Sequence, residues 1–149
     1  MLEDIFLVFV KFIQHIGFVT GLDSNDEGTK VGVIDKAGIL VISNVDNDER
    51  LGQYNATKSA CNCTRWNPLS TSSIVAIQHS QRILEIIDVE KCAQPLNDPL
   101  VLEDSKIMLC RSLETIIEPY SIEWRCDGNL ILVGDDLRKP KIYDLREGK

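Results

Sequence analysis

The chain has 149 residues, of which 44% are hydrophobic and 26% are charged. This is the composition of a folded, water-soluble domain, and it excludes a disordered tail, a collagen and a multi-pass membrane protein. Asp and Glu number 23 against 16 Lys and Arg, which gives a formal net charge of -7. Because a negative surface repels phosphate backbones, we do not expect nucleic acid as a direct partner.

Residues 1–17 form an apolar N-terminal segment. The run from Ile5 to Val19 is shorter than the roughly 20 residues that cross a bilayer, and Lys11 interrupts it. A secretory signal has a basic start and a small-residue cleavage site, and this segment has neither. We therefore expect either a short helix or a strand that completes a neighbouring sheet.

The five cysteines form an odd set in a chain too long to need a disulfide framework. Reduced thiols in the cytoplasm are the expectation. Cys61 and Cys63 have a spacing that hints at metal binding, but a zinc site needs a second ligand pair and the sequence offers none. The pattern predicts no metal and no cofactor.

Three segments of the chain share one pattern. Each has a short apolar strand, a polar turn, a second apolar strand, a tight turn, and a strand that ends in Ile-x-Asp/Asn-hydrophobic, which places Asn44, Asp88 and Asp144 at equivalent positions. Short strands separated by Asp, Gly, Asn and Pro predict antiparallel sheets. A period near 44 residues with four strands per unit is typical of a WD-repeat propeller blade. We predict an all-β fold, a partial β-propeller of about three four-stranded blades near residues 18–57, 58–105 and 118–149.

The third unit is displaced along the chain. Asn44 and Asp88 are 44 residues apart, whereas Asp88 and Asp144 are 56 apart. The additional residues fall between positions 91 and 119, where we predict an outer strand and a surface insertion. Such an insertion often forms a binding surface in repeat proteins, but a passive loop explains it equally well.

Particular residues carry a resemblance to known proteins. The tetrad from Ile142 to Leu145 resembles the closing Trp-Asp signature of a WD repeat, with Tyr143 and Asp144 in the signature positions. The turn from Asp35 to Gly38 resembles the inner turn of such a repeat. A longer match, to the N-terminal propeller of the missing-oocyte (Mio) family, is carried by the residues Cys61, Asn62, Trp66, Asn67, Pro68, Leu69, Trp124, Gly134, Arg138 and Arg146.

The resemblance implies a function. Mio proteins are subunits of the SEA/GATOR complex, which relays amino-acid availability to the TOR kinase complex. A member of that family is expected to be a non-catalytic scaffold with protein partners, located in the cytoplasm and, through those partners, at the lysosomal or vacuolar membrane. Two features depart from the family pattern: the Gly-His pair that usually opens a WD repeat is absent from all three units, and the C-terminal zinc-binding region is missing.

Few residues suggest chemistry. The stretch from Asp23 to Gly28 imitates the start of a calcium loop, but the twelfth position is Ile34 where a bidentate Glu is required, so we interpret it as a turn. His79 and Ser80 could suggest a base and a nucleophile, but His79 falls in a predicted tight turn. No nucleophile elbow or phosphate-binding loop is present.

Two kinds of surface residue leave alternatives open. Trp66 and Trp124 occupy equivalent places and are expected to pack between sheets, although an exposed Trp could instead anchor a partner. Arg138 and Arg146 lie in a mixed-charge C-terminal cluster, which is either a solvated face or a site for acidic groups of a partner.

Two other function classes remain. One is a generic WD-repeat adaptor in ubiquitin ligation or trafficking, and the other is an enzyme or small-molecule binder built on a self-contained β-sandwich. Three blades are fewer than the four to eight that close a propeller. We therefore expect exposed apolar blade faces, which further sheets or a partner would cover.

Overall fold

The computed structural model describes residues 17–47, 49–56, 60–69, 73–78, 82–90, 109–114, 119–135 and 139–146. These ranges contain eleven β-strands and no α-helix, so they also contain no helix with the length and apolarity that crossing a membrane requires. The expectations for residues 1–16, for His79 and Ser80, and for Arg138 lie outside the described residues.

The strands form three antiparallel sheets. Sheet 1 contains, in spatial order, β1 (Val19–Ser24), β2 (Lys30–Asp35), β3 (Ile39–Asn44) and β4 (Arg50–Asn55). Sheet 2 contains β5 (Cys61–Trp66), β6 (Ser73–Gln78), β7 (Ile83–Asp88) and β8 (Leu109–Glu114). Sheet 3 contains β9 (Pro119–Trp124), β10 (Leu130–Asp135) and β11 (Lys141–Asp144). The predicted all-β class is confirmed.

One predicted boundary differs from the structure. The second unit was expected to end near residue 105, but its fourth strand, β8, spans Leu109–Glu114 and pairs with β7 from Ile83 to Ile87. β8 lies within the range 91–119, for which an outer strand and a surface insertion were predicted. The reason is that β7 has a free edge after pairing with β6, and a strand added late in the sequence satisfies its remaining N–H and C=O groups.

The sheets stack face to face through their first strands, β1 against β5 and β5 against β9. The core between sheets 1 and 2 is formed by Ile34, Leu40, Ile42, Tyr54, Ala56, Cys61, Trp66, Ile87 and Val89. The core between sheets 2 and 3 is formed by Leu84, Ile86, Ile122, Trp124, Ile131 and Val133. The central strand β7 contributes alternate residues to both cores, which explains why its sequence is apolar on both faces.

Gly21 permits a close approach between the first two sheets. A Cβ added at Gly21 in β1 would lie 3.0 Å from the main-chain nitrogen of Thr64 and 3.1 Å from the Cα of Cys63 in β5. A side chain at this position would push β1 and β5 apart, because main-chain atoms cannot move aside as a flexible side chain can.

Sheets 1 and 3 repeat one another at a constant sequence interval of 100. Asp23 pairs with Gly32, which pairs with Ile42, and Glu123 pairs with Leu132, which pairs with Ile142. The turn bonds follow the same interval: Gly28 N–H donates to the carbonyl of Asn25, and Gly128 N–H donates to the carbonyl of Arg125, both at 2.9 Å. Position n in sheet 1 is therefore structurally equivalent to position n + 100 in sheet 3.

The ends of the third strands also repeat. The side-chain Oδ1 of Asn44 accepts the main-chain N–H of Asp46 at 2.8 Å, that of Asp88 accepts from Glu90 at 3.0 Å, and that of Asp144 accepts from Arg146 at 2.9 Å. A short Asp or Asn side chain that bonds its own backbone two residues later ends a strand in a tight turn. All three units use this turn, at the positions that the sequence pattern aligned.

Candidate interaction surface

Asp35 and Gly38 form the tight turn between β2 and β3. The Asp35 side chain is fully buried, and its Oδ1 accepts the main-chain N–H groups of Ala37 and Ile39, each at 2.9 Å. Gly38 has a φ of 83° and its N–H donates to the carbonyl of Asp35 at 3.0 Å. The left-handed backbone favours Gly, and the buried carboxylate fixes the loop.

Trp66 ends the inner strand of sheet 2 and is buried between sheets 1 and 2. Its main-chain N–H donates to the carboxylate Oδ2 of Asp23 at 2.7 Å. Among the described residues, no strand pairs with β5 on the edge opposite β6. A side chain of sheet 1 therefore accepts the hydrogen bond from the main-chain N–H of Trp66. The sequence pattern placed Asp23 only in a calcium-like turn and did not indicate this contact.

Trp124 occupies the equivalent place in sheet 3 but is held differently. Its main-chain N–H donates to Oε1 of Glu123 at 3.2 Å, and its indole Nε1–H donates to the carbonyl of Arg65 at 3.2 Å. Arg65 precedes Trp66 in the chain, and Glu123 precedes Trp124. An Arg side chain cannot accept a hydrogen bond, so Arg65 cannot accept from the Trp66 N–H as Glu123 does from the Trp124 N–H. Glu123 accepts the Trp124 donor itself and forms an ion pair with Arg65, with Nε 3.4 Å from Oε2.

Asn67 and Pro68 follow Trp66 in a turn that contacts sheet 3. Asn67 is buried; its Oδ1 accepts the main-chain N–H of Leu69 at 2.9 Å and its Nδ2 donates to the carbonyl of Gly128 at 3.1 Å. Gly128 has a φ of 65°, and a Cβ added there would lie 2.6 Å from the Asn67 Oδ1. Asn67 therefore joins the two turns, and Gly128 leaves the room that it needs.

Gly134 lies in β10 opposite Ser121 of β9, where a register shift follows. A Cβ added at Gly134 would lie 2.5 Å from the Ser121 hydroxyl oxygen. A serine hydroxyl can rotate away, so this position tolerates a small side chain better than Gly21 does.

Asp144 and Arg146 form an ion pair at the end of β11. The Arg146 Nε lies 2.9 Å from Asp144 Oδ1, and the guanidinium holds the pKa of Asp144 down to about 2. Tyr143, the residue at the usual Trp position, is partly buried against the core between sheets 2 and 3. The guanidinium of Arg146 is thus engaged within its own turn.

Cys61 is a buried thiol without nucleophilic character. Burial raises its pKa to about 12, and the carboxylates of Glu85 and Asp35 add to the effect. A thiol needs to be deprotonated to react or to bind a metal. Among the described residues, no group of three His, Cys, Asp or Glu side chains could hold a metal ion.

The face of sheet 3 opposite sheet 2 exposes several apolar side chains. It is formed by Glu123, Leu130, Leu132 and Ile142, and we refer to it as the open face. Ile142 is 67% exposed and Leu132 is 43% exposed. With Arg125 at its rim, the open face encloses a shallow depression of about 230 Å³. Contiguous exposed aliphatic side chains of this kind mark interaction sites.

Comparison with known proteins places the fold. No protein-family model and no curated protein matches the sequence. Among solved structures, the chain is similar to a WD40 β-propeller protein in the crystal structure of the mitotic checkpoint complex, with a TM-score of 0.67 and 18% sequence identity. The similarity covers 87% of this chain and 34% of that chain, so this chain spans about a third of the solved chain's length.

At this identity the similarity establishes the fold alone. It supports the broad resemblance to WD-repeat propellers and gives no support to the narrower resemblance to the Mio family. The stacked antiparallel sheets, their repeated turns and this similarity identify the fold as a partial, WD-repeat-like β-propeller.

Proposed function

We propose that the chain is a non-catalytic scaffold that contributes propeller sheets to a multi-protein complex. The observation that carries the proposal is the open face, where Leu132 and Ile142 expose apolar surface on a rigid sheet. Rigid apolar surfaces with polar rims bind other proteins, because burying them releases water without a large ordering cost. Two of the buried polar side chains have roles in the fold: Asp35 fixes a turn and Asn67 joins two turns.

The finer proposal names the complex. The residues that resemble the Mio family support the SEA/GATOR complex, with a role in relaying amino-acid availability to TOR signalling and a location in the cytoplasm and, through partners, at the lysosomal or vacuolar membrane. The expected partners are protein subunits, with no cofactor and no nucleic acid. Arg138 and Arg146 stay predictions as partner-binding residues; the guanidinium of Arg146 already forms an ion pair with Asp144.

A tagged chain expressed at its natural level tests this proposal. We expect SEA/GATOR subunits to co-purify in fixed proportion, as resident subunits do. A generic WD-repeat adaptor would instead co-purify with subunits of a ubiquitin ligase or of a trafficking coat, and that result would replace the finer proposal while keeping the scaffold role. A chain that purifies with no stable protein partner would contradict the scaffold role itself.

A further inference from the structure

The side of sheet 1 that faces away from sheet 2 is buried, although no described sheet packs on it. Sheet 1 contacts the other described sheets through β1 and β2, which pack against β5. Ile34 and Ile42 point into the core shared with sheet 2. Because side chains alternate along a strand, Val31, Val33 and Val41 point the opposite way, and they are buried without belonging to either core. We refer to this side as the far face; it is formed by Leu22, Val31, Val33, Val41 and Ser43.

The equivalent face of sheet 3 shows what such burial requires. Val33 is 4% exposed, and its equivalent Val133 is 3% exposed because sheet 2 covers it. The inner strands differ: Leu22, opposite Val33, is 45% exposed, whereas Ile122, opposite Val133, is 4% exposed. The far face is therefore covered over β2 and β3 but not over β1, so its cover is narrower than a neighbouring sheet.

The cover extends to the outer strand β4. Arg50 pairs with Ser43 of β3, so its side chain lies on the far face, and its guanidinium donates to Oε1 of Gln53. The Arg50 Nε is buried and has no hydrogen-bond acceptor among the described residues. Burial also lowers the pKa of Arg50. Since an Arg side chain on an edge strand normally keeps its charged end in water, other atoms must lie over it.

The chain enters sheet 1 beside the covered strands. A Cβ added at Gly17 would lie 3.5 Å from the main-chain nitrogen of Ala37 and 3.5 Å from the carboxylate of Asp35. The carbonyl of the next residue, Phe18, accepts the main-chain N–H of Lys36 at 2.8 Å. Gly17 therefore lies at the turn between β2 and β3, and the segment before it ends next to the two strands that carry the covered valines.

The sequence of that segment suits the far face. From Ile5 to Ile16 it is apolar and is interrupted only by Lys11, Gln14 and His15. Its residues 1–16 extend about 24 Å as a helix or roughly 50 Å as a strand, and either length exceeds the width of three strands that lie about 4.8 Å apart. An apolar run of this kind is a liability in water, and the far face offers it an apolar surface.

We propose that residues 1–16 pack across the far face, over β2, β3 and β4, as an intramolecular cap on this end of the stacked sheets. The half-exposed Leu22 marks the border of the cap, because β1 lies outside it. A partner can bind the far face only after it displaces the cap, whereas the open face of sheet 3 is accessible in the free chain. The cap is a property of the isolated chain and does not depend on the proposed scaffold function.

The first test identifies what covers the far face. A photo-crosslinking benzoylphenylalanine replaces Leu22 in the purified full chain, and the crosslinked peptides are sequenced. We expect an intramolecular link from position 22 to a peptide within residues 1–16. The control position is Leu132, which is exposed to a similar extent on the open face and is expected to give no link to that peptide. A link from position 22 to any other segment or to a second chain, or no link, would overturn the proposal.

The second test compares two equivalent buried positions. Val33→Cys and Val133→Cys, made in separate full chains, place a thiol under the cap and under sheet 2. Both are expected to react slowly with a maleimide, as measured by peptide mapping, because both sites are buried. A fast reaction at position 33 in the otherwise unchanged chain would overturn the proposal.

The same two cysteine variants then report on a disturbed cap. Phe9→Asp and Val10→Asp together are expected to raise the reaction rate at position 33 by at least about tenfold, through local opening, and to leave position 133 unchanged. Gln14→Asp, which alters a polar position of the same segment, is the matched control and is expected to change neither rate. No rise at position 33, or an equal rise at both positions, would overturn the proposal.

Discussion

The carboxylate of Asp23 accepts the main-chain N–H of Trp66 at 2.7 Å, and this bond joins the inner strands of two different sheets. The residue of sheet 2 that is equivalent to Asp23 is Arg65, whose side chain cannot accept a hydrogen bond. At the contact between sheets 2 and 3, the main-chain N–H of Trp124 donates instead to Glu123 of its own sheet. The same structural requirement, an acceptor for an N–H on an inner edge, is thus met in two different ways at the two sheet contacts.

Replacing Asp23 tests this contact. Asp23→Ala is expected to destabilise the chain by about 1–2 kcal/mol, because it leaves the Trp66 N–H without its charged acceptor. Asp23→Asn keeps an acceptor oxygen at the same place and is expected to cost less. Urea unfolding followed by tryptophan fluorescence measures both, and equal losses for the two variants would show that the negative charge matters and the hydrogen bond does not.

The equivalent glycines Gly28 and Gly128 form a matched pair. Both have a positive φ, 69° and 65°, so Ala at either position costs about 1–2 kcal/mol of backbone strain. At Gly128 the added Cβ also lies 2.6 Å from the Asn67 side chain, whereas at Gly28 no heavy atom lies within 4 Å. Gly128→Ala is therefore expected to be the more destabilising by about 1–3 kcal/mol. Equal effects in thermal unfolding would contradict the contact between the two turns.

Thr64 is a position where substitution is expected to stabilise the chain. Its side chain is fully buried in β5 and, among the described residues, its hydroxyl Oγ1 has no hydrogen-bond partner. Thr64→Val replaces the unsatisfied hydroxyl with a methyl group of similar size and is expected to add about 1 kcal/mol to the free energy of unfolding. Thr64→Ser, which keeps the hydroxyl and removes the methyl group, is the control and is expected to destabilise.

The buried thiol of Cys61 predicts a stability change at alkaline pH. In the unfolded chain a cysteine thiol has its ordinary pKa of 9.0, whereas in the folded chain the pKa of Cys61 is about 12. The folded state therefore retains a proton that the unfolded state loses, and the contribution of this group to stability falls as pH rises from 9 towards 12. The difference in unfolding free energy between the parent chain and Cys61→Ala is expected to change over this window. A difference independent of pH would contradict the burial of the thiol.

A labelling experiment examines the same residue at neutral pH. Iodoacetamide followed by peptide mapping is expected to modify Cys126, which is exposed, much faster than Cys61, which is buried. Comparable rates in the native state would mean that the contact between sheets 1 and 2 opens readily, because Cys61 lies in that core.

The repeat of the sequence predicted the architecture because it reflects local chemistry. Asn44, Asp88 and Asp144 end three strands through the same turn bond, and that bond needs only a short polar side chain and its own backbone. The position of β8 was not predictable from that repeat, since Leu109–Glu114 pairs with β7 across a long intervening segment. Pairing between distant strands depends on which edge is free, and the sequence pattern does not encode this.

The contacts between sheets were also beyond the sequence pattern. Asp23, Arg65 and Glu123 are charged residues on strands, and nothing in their spacing indicates which of them accepts a Trp N–H. Their equivalence becomes visible only when the pairing registers are compared. The same comparison shows that Ile142 corresponds to Ile42, although one is exposed and the other is buried.

The most direct test of the open face as a docking site is hydroxyl-radical footprinting of the chain, free and in the assembly isolated from cells. We predict that oxidation of Leu132 and Ile142 falls in the assembly to the level of buried residues such as Ile42, while their exposure in the free chain matches the 43% and 67% of the structure. Equal oxidation of Leu132 and Ile142 in the two states would contradict this prediction, because the open face would then have no partner.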